Sequence, residues 1–225
     1  MGKKIIVFAP HPDDETFGCG GTIAKKINQG YEVLIVIMTD GRYAFEKVLG
    51  INSDPSPDYL KEIRKEEVIR AMKVLGVPRE NIIFLNFEDG KLNDFKREAE
   101  EKVMEILIKN PPEEVYFPTH KDAHPDHQAT YQIVKNALRR LDIPVTQYQY
   151  SIGQKYGRIG PLIDLFISFF KHNMYVVDIS EFLLKKRIAI EEFKSEITLI
   201  SPRQKRPLVT DIKKFLKSKE TFYVE

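Results

Sequence analysis

Residues 5–15 read IIVFAPHPDDE, an apolar run that ends abruptly in histidine and carboxylate side chains. Five consecutive apolar residues, three of them β-branched, are typical of a strand buried on both faces of a parallel sheet. The polar residues that follow would then lie beyond the carboxyl end of that strand. In open α/β sheets ligands bind at this edge. The stretch therefore predicts both the class of the fold and the place of its site.

A strand-then-helix pattern continues along the chain. Further strands are predicted at 33–38, 82–87, 115–117, 145–150 and 175–179, and helices at 22–29, 59–75, 97–109, 126–141 and 181–193. Residues 40–57, with two glycines and two prolines, are predicted to form a long loop. Strands that alternate with helices at this spacing indicate βαβ units. We therefore expect an α/β protein, a mostly parallel sheet with helices on both faces, built as one domain over residues 1–225.

Composition excludes several classes of protein. The 35 basic and 33 acidic residues leave a net charge of +2, which argues against a general nucleic-acid-binding protein. No apolar run approaches the roughly 18–20 residues of a membrane-spanning helix. The apolar run after Lys4 is cut short by His11, which is not typical of a signal peptide. The single cysteine, Cys19, excludes disulfide frameworks and Cys₄ zinc sites. We expect a cytoplasmic globular protein with no transmembrane segment.

Two clusters of histidine and carboxylate residues follow the first and fourth predicted strands. The first is HPDDE at 11–15, and the second is HPDH at 124–127. Because both follow strands of one sheet, their side chains can converge at its carboxyl edge. Imidazole and carboxylate are good zinc ligands, and a catalytic zinc site uses three protein ligands with a fourth position open. A single cluster of this kind is often a solvated turn, but two in equivalent places predict a metal site.

Both clusters resemble the two signature motifs of the LmbE-like (PIG-L) N-acetylglucosaminyl deacetylases. These are zinc-dependent enzymes with a Rossmann-like fold that remove acetyl groups from N-acetylglucosamine units. The resemblance covers most of residues 4–196 and includes TDG at 39–41, Arg64 with Glu67, FEDG at 87–90, VDIS at 177–180 and, further along, Lys186, Ala189, Ser195 and Glu196. Pro10 is a slight departure from the usual sequence of the first motif, and it does not affect the implied ligand residues.

The resemblance implies a role for each residue of the two clusters. His11, Asp14 and His127 correspond to the metal ligands, and Asp13 to the general base that takes a proton from the attacking water. The implied cofactor is Zn²⁺, although another divalent metal would suit the same ligands. The implied substrate is an N-acetylglucosamine-containing small molecule, and the implied reaction is hydrolysis of its acetamide.

The resemblance implies further roles around the ligands. His124 would polarise the amide carbonyl, stabilise the oxyanion or protonate the leaving amine. Because a helix N-terminus disfavours an imidazolium, a cationic His124 needs a carboxylate nearby, and Asp89 is the candidate. Arg64 either contacts a sugar hydroxyl or supports the ligands, and the alternative is that it belongs to a solvated charged face of its helix.

Other interpretations stay open. The protein could be a zinc amidase or esterase acting on a non-sugar acyl group. It could also be a nucleotide-binding Rossmann protein, but the glycine-rich stretch 18–21 lacks the full fingerprint because position 23 is isoleucine. We interpret these glycines as allowing close packing, and His120 and Asp122 as loop residues, with contact to the metal pocket as the alternative. The sequence leaves open a homo-oligomer and the roles of residues 151–173 and of the basic tail.

Overall fold

The computed structural model describes residues 3–152 and 174–224. Within these ranges seven strands form one sheet, in the order β3-β2-β1-β4-β5-β7-β6. The strands are β1 Lys4–Ala9, β2 Glu32–Thr39, β3 Ile82–Phe87, β4 Glu114–Pro118, β5 Thr146–Tyr150, β6 Met174–Asp178 and β7 Lys219–Val224. Strands β1 to β5 run parallel, and β7 is antiparallel to β5 and β6. The predicted mostly parallel sheet is confirmed.

Helices cover both faces of this sheet. They are α1 Asp14–Asn28, α2 Ala44–Leu49, α3 Pro57–Leu75, α4 Lys96–Lys109, α5 Pro125–Leu141, α6 Leu183–Glu191 and α7 Lys194–Ile197. Helices α1, α3 and α6 contact one another on one face, and α4 contacts α5 on the other. None of the helices in the described ranges has both the length and the apolar character needed to cross a membrane.

Alternation along β1 divides the core into two layers. Ile5 and Val7 belong to the apolar cluster under α1 and α3, whereas Ile6 and Phe8 belong to the cluster under α4 and α5. All four side chains are fully buried. β1 lies at the centre of the five parallel strands, with β2 on one side and β4 on the other. This central position explains why its sequence is continuously apolar.

Several element boundaries differ from the sequence predictions. Helix α1 begins at Asp14, eight residues before its predicted start, and α2 lies within the predicted loop 40–57. Glycines at 18–21 lower helix propensity, but close packing overrides it, since a Cβ on Gly21 would lie 2.3 Å from Ile179. The predicted helix 181–193 is a 3₁₀ turn followed by α6, and β7 was not predicted.

The strand order places a crevice between two loops. Moving along the chain, β2 and β3 are added on one side of β1, and β4 and β5 on the other. The order therefore reverses between β1 and β4, and such a switch point is where open α/β sheets bind ligands. The loop after β1 and the loop after β4 meet there.

The apolar run 162–170 and His172 lie outside the described residues, and one domain over 1–225 stays a prediction.

Candidate metal centre and active site

The loop after β1 is held in a strained shape by a buried arginine. Asp13 has a φ of 144°, in a region that L-residues rarely adopt. Arg64, on α3 and only 3 % exposed, donates from Nη1 to the Gly41 carbonyl at 3.0 Å and from Nη2 to the Pro12 carbonyl at 2.9 Å. Strain of this kind amounts to about 1–3 kcal/mol and persists where its surroundings enforce it. Arg64 therefore stabilises the loop that presents the first cluster.

The three implied metal ligands converge on one point. Oδ2 of Asp14 lies 3.1 Å from Nδ1 of His11 and 3.2 Å from Nε2 of His127. Ligand atoms around a tetrahedral zinc are separated by about 3.3 Å, given bonds of about 2.0–2.1 Å. Ligand atoms of His11, His124 and His127 also lie within 4.8 Å of one another. The donor atoms of this cluster thus lie close enough together to hold a metal ion.

A second carboxylate orients each of the two imidazoles. Nε2 of His11 lies 3.1 Å from Oδ2 of Asp126, and Nδ1 of His127 lies 2.9 Å from Oδ2 of Asp122. In each ring, one nitrogen therefore contacts Asp14 and the other contacts an outer carboxylate, Asp126 for His11 and Asp122 for His127. Metal-binding histidines are usually held in this way, because the outer acceptor fixes the tautomer and the ring orientation.

The outer carboxylates are themselves anchored to neighbouring loops. Asp126 accepts a hydrogen bond of 2.6 Å from the N–H of Gly90, after β3. Asp122 accepts one of 2.7 Å from the hydroxyl of Ser151 and one of 3.2 Å from the N–H of Ile152, after β5. Loops that follow β3 and β5 are thereby connected to the site between β1 and β4. Both carboxylates are almost fully buried.

The charges of the cluster favour a cation. Burial alone would lower the pKa of His11, but hydrogen bonds to Asp126 and Asp14 raise it to about 9. Burial would also lower the pKa of His127, but the carboxylates of Asp14 and Asp122 raise it to about 10. The same imidazoles hold the pKa of Asp14 far below its usual range, although burial opposes this. A divalent cation could replace the two extra protons, so the residues fit a metal ion.

His124 differs from the two other imidazoles. Burial, together with the neighbouring His11 and His127, lowers its pKa to about 4. It is the N-cap of α5, and its Nδ1 accepts a hydrogen bond of 3.2 Å from the N–H of Asp126. Since Nδ1 is an acceptor, the single proton of the neutral ring lies on Nε2. His124 is therefore a neutral hydrogen-bond donor at the edge of the cluster.

Asp13 faces the same cavity from the other side. Nη2 of Arg64 lies 3.1 Å from Oδ2 of Asp13 and 2.9 Å from Oε1 of Glu196. Burial and the charge of Glu196 raise the pKa of Asp13 well above its usual value, against the opposing effect of Arg64. A raised pKa makes this carboxylate a better proton acceptor.

The family model for PIG-L, described as GlcNAc-PI de-N-acetylase, matches residues 6–138. This chain belongs to the PIG-L family. Its relatives include the diacetylchitobiose deacetylase of Thermococcus kodakarensis, 33 % identical over 56 % of this chain and 45 % of that protein. A probable N-acetyl-alpha-D-glucosaminyl L-malate deacetylase 2 of Bacillus cereus is 30 % identical over 63 % of each chain. The chain thus spans less than two thirds of these two relatives.

A solved structure resembles this PIG-L chain over nearly its whole length. The N,N'-diacetylchitobiose deacetylase from Pyrococcus horikoshii, in complex with its inhibitor MPG, superposes with a TM-score of 0.69. The superposition covers 99 % of this chain and 84 % of that one, at 25 % identity. The resemblance to the PIG-L family stated from the two motifs is therefore confirmed.

All seven predicted site residues of this PIG-L protein line one cavity of about 310 Å³. They are His11, Asp13, Asp14, Arg64, Asp89, His124 and His127. The Nη atoms of Arg64 contact protein carbonyls and carboxylates, as expected of a residue that supports the metal ligands. Asp89 accepts the N–H of Tyr43 at 2.9 Å and pairs with Lys47 at 3.0 Å, and it lies 3.8 Å from Nε2 of His11. The roles assigned to these residues stay predictions.

Three residues of the PIG-L site were not among the predicted site residues. Asp126 lies inside the HPDH motif, so its position alone could have revealed it. Asp122 was interpreted as a loop residue, with contact to the metal pocket as the alternative, and its carboxylate contacts His127. Glu196 lines the cavity from α7, far from both motifs in the chain. By contrast, His120 packs on the ring of Tyr131, with 5.2 Å between centroids, outside this cavity.

Proposed function

We propose that this protein is a zinc-dependent deacetylase that hydrolyses the acetamide of an N-acetylglucosamine-containing small molecule. The position of the Asp14 carboxylate between two imidazole nitrogens, in a cavity shared with Asp13 and His124, carries this proposal. Membership of the PIG-L family supports it, as do the names of the relatives from Thermococcus and Bacillus.

In this proposal His11, Asp14 and His127 hold the metal ion. Two neutral imidazoles and one carboxylate leave a coordination position open, as catalytic zinc sites require. When bound, zinc supplies Lewis-acid activation of water and of the amide carbonyl. Asp126 and Asp122 keep the two rings in the orientation that binding needs.

Asp13 acts as the general base. Its carboxylate lies beside the ligand Asp14 and is held by Nη2 of Arg64 at 3.1 Å. It takes a proton from the attacking water and returns it to the leaving nitrogen when the carbon–nitrogen bond breaks. Burial and the charge of Glu196 raise the pKa of Asp13, which makes its carboxylate a stronger proton acceptor than an ordinary aspartate.

His124 stabilises the developing negative charge on the amide oxygen. Its Nδ1 is occupied by the N–H of Asp126, so its Nε2–H is the group left to donate. A neutral donor of this kind needs no carboxylate partner. We therefore favour, among the roles that the sequence left open, carbonyl polarisation and oxyanion stabilisation over protonation of the leaving amine.

A mass-spectrometric screen of N-acetylated sugars for loss of acetyl, with and without zinc, tests this proposal. We expect deacetylation by the zinc-loaded protein, none by the metal-free protein, and deacetylation about 10²–10⁴-fold slower by Asp13→Asn. Asp94→Asn, which changes an exposed carboxylate on the 3₁₀ turn Leu92–Phe95, is the matched control and should retain activity. Hydrolysis of non-sugar acyl amides or esters without any deacetylation of sugars would refute the proposal in favour of the zinc amidase or esterase. A cytoplasmic location, the absence of a nucleic-acid partner and a homo-oligomer stay predictions.

A further inference from the structure

A second cavity adjoins the metal-binding cavity beyond the carboxyl end of β5. It has a volume of about 470 Å³, and Ile152 lines both cavities. The hydroxyl of Ser151 and the N–H of Ile152 donate to the carboxylate of Asp122 at 2.7 and 3.2 Å, and Asp122 contacts His127. The wall between the two cavities is therefore fixed to the metal site. A ligand whose reacting group lies at the metal site can reach the second cavity by passing one side chain.

The second cavity is positively charged. Among the described residues its charged lining consists of Lys214 and Lys217, and neither forms an ion pair with a described carboxylate. Both belong to the segment 203–219, which carries seven basic residues and one acidic residue in a chain of net charge +2. The excess positive charge of the protein is thus concentrated beside this space, which we call the basic cavity.

Aromatic rings hold the ammonium groups of the basic cavity without neutralising them. Nζ of Lys214 lies 4.6 Å from the centroid of the Phe215 ring, and Nζ of Lys121 lies 4.3 Å from the centroid of the Tyr223 ring. Both rings line the basic cavity. The face of an aromatic ring attracts a cation but carries no net charge. The positive charge of these lysines therefore remains available to an anion.

The metal-binding cavity has different electrostatics. In the described part of the chain its lysine and arginine side chains are Lys47 and Arg64, and each pairs with a carboxylate. Lys47 lies 3.0 Å from Asp89, and Arg64 lies 3.1 Å from Asp13. Away from the metal position, an anionic group in this cavity would meet carboxylates that repel it, whereas the basic cavity attracts it.

We infer that Lys214 and Lys217 bind an anionic group, a carboxylate or a phosphate, on the aglycone of the substrate. This inference rests on the proposed function and narrows its substrate class to anionic glycosides of N-acetylglucosamine. The acetamide lies at the metal site, the aglycone passes Ile152, and the anionic group enters the basic cavity. At about 310 Å³ the metal-binding cavity is at the small end of the range for ligand sites, about 300–1,000 Å³, so a glycoside extends beyond it.

One segment of the chain borders both cavities. Leu208 lines the metal-binding cavity, and Lys214, Phe215 and Lys217 line the basic cavity. This segment lies outside residues 6–138, which the family model matches and which contain the implied metal ligands and base. Its charge can therefore change without altering the catalytic residues, as expected of a segment that selects the aglycone.

The test compares two glycosides of N-acetylglucosamine that differ in charge, using the zinc-loaded protein. The carboxymethyl glycoside carries a carboxylate, and the carboxamidomethyl glycoside is its uncharged isostere; both are assayed as the α and the β anomer. We expect kcat/KM of the wild type to favour the carboxylate by about 3- to 30-fold in at least one anomer, the range for two ion pairs with exposed lysines. This preference should fall as the ionic strength is raised from about 0.05 to about 0.5 M, because salt screens such pairs.

Lys214→Ala/Lys217→Ala should reduce the preference to near unity by raising KM for the carboxylate, with little effect on the neutral glycoside. Both lysines are exposed, so the fold should tolerate their replacement. Lys214→Glu/Lys217→Glu should reverse the preference. Lys205→Ala/Arg206→Ala is the matched control, because it removes the same charge from exposed residues of the same segment that line neither cavity. The control should retain the preference of the wild type.

Equal kcat/KM for the two glycosides in the wild type would overturn the inference and leave the proposed function intact. So would a preference that persists in both Lys214/Lys217 variants, or one that the control loses to the same extent, because the attraction would then come from other groups or from the net charge. Deacetylation of other N-acetylated sugars but of neither glycoside would also overturn the inference alone. Failure to deacetylate any N-acetylated sugar would overturn the proposed function and this inference with it.

Discussion

Replacement of Asp122 tests whether the outer carboxylates orient the metal ligands. Asp122→Ala removes the acceptor that lies 2.9 Å from Nδ1 of His127, a ring that is 5 % exposed and has its other nitrogen on Asp14. Loss of such an acceptor weakens metal binding by about 10- to 100-fold, or about 1.4–2.7 kcal/mol. Asp122→Asn keeps a carbonyl acceptor and loses only the charge. We therefore expect its effect to lie near the lower end of this range.

The assay is a competition between the metal-free protein and a chelating zinc indicator. His120→Ala is the matched control, because His120 lies on the same loop but packs on Tyr131 outside the cavity. Its zinc affinity should equal that of the wild type. Thermal unfolding of each metal-free protein gives the effect of the change on the fold itself, since Asp122 also accepts hydrogen bonds from Ser151 and Ile152.

Zinc affinity within about 3-fold of the wild type in Asp122→Ala would refute the reasoning. It would mean either that His127 needs no acceptor on Nδ1 or that His127 does not bind the metal. A His127→Ala variant separates these two explanations, because it loses zinc only if His127 is a ligand, and a His11→Ala/His127→Ala double variant tests both rings together. If that variant still binds zinc as the wild type does, the ligand assignment itself is wrong.

The remaining predictions concern the base, protonation and the loop after β1. Asp13→Asn should keep zinc and lose about 10²–10⁴-fold in activity, whereas Asp14→Asn should lose zinc. Equal zinc loss from both variants in metal analysis would show that Asp13 and Asp14 do not have separate roles as base and ligand. Zinc binding at pH 7 should release about two protons, because the pKa values of His11 and His127 are raised to about 9 and about 10. Calorimetry in buffers of different ionisation enthalpy measures this number, and zinc affinity should fall as the pH is lowered. Arg64→Ala should destabilise the protein by about 3–5 kcal/mol in urea unfolding, because it leaves a buried carboxylate unpaired.

The first cluster and the fold class could be predicted because they depend on local pattern. A continuous apolar run followed by HPDDE defines a buried strand and its carboxyl edge, and the rule for open sheets then places the site. The same reasoning located His124 and His127 after β4. His11, Asp13, Asp14, His124 and His127 line one cavity. The interpretation of the stretch 18–21 as closely packed agrees with the position of Gly21 against Ile179.

The missed features depend on contacts between distant parts of the chain. Strand β7 reads KETFYV, a short segment with charged residues, and it is a strand because it pairs between β5 and β6. Helix α1 extends to Asp14 because packing overrides the low helix propensity of its glycines. Glu196 enters the site only through the contact of α7 with α3. None of these contacts leaves a periodic signal in the sequence.

The residues after β6 stabilise helix α1, which carries the implied ligand Asp14, and they also line the cavity. Glu220, on β7, accepts the N–H groups of Gly21 and Thr22 at 2.9 and 2.7 Å, and it pairs with the buried Lys186 at 2.6 Å. Lys186 in turn donates to the carbonyl of Phe17 at 2.9 Å. These contacts fix α1, whose first residue is the implied ligand Asp14. A chain that ended after β5 would retain both motifs, yet the buried polar groups of α1 would lose their partners. The two histidine motifs define the chemistry of the site, and the C-terminal residues fix its geometry.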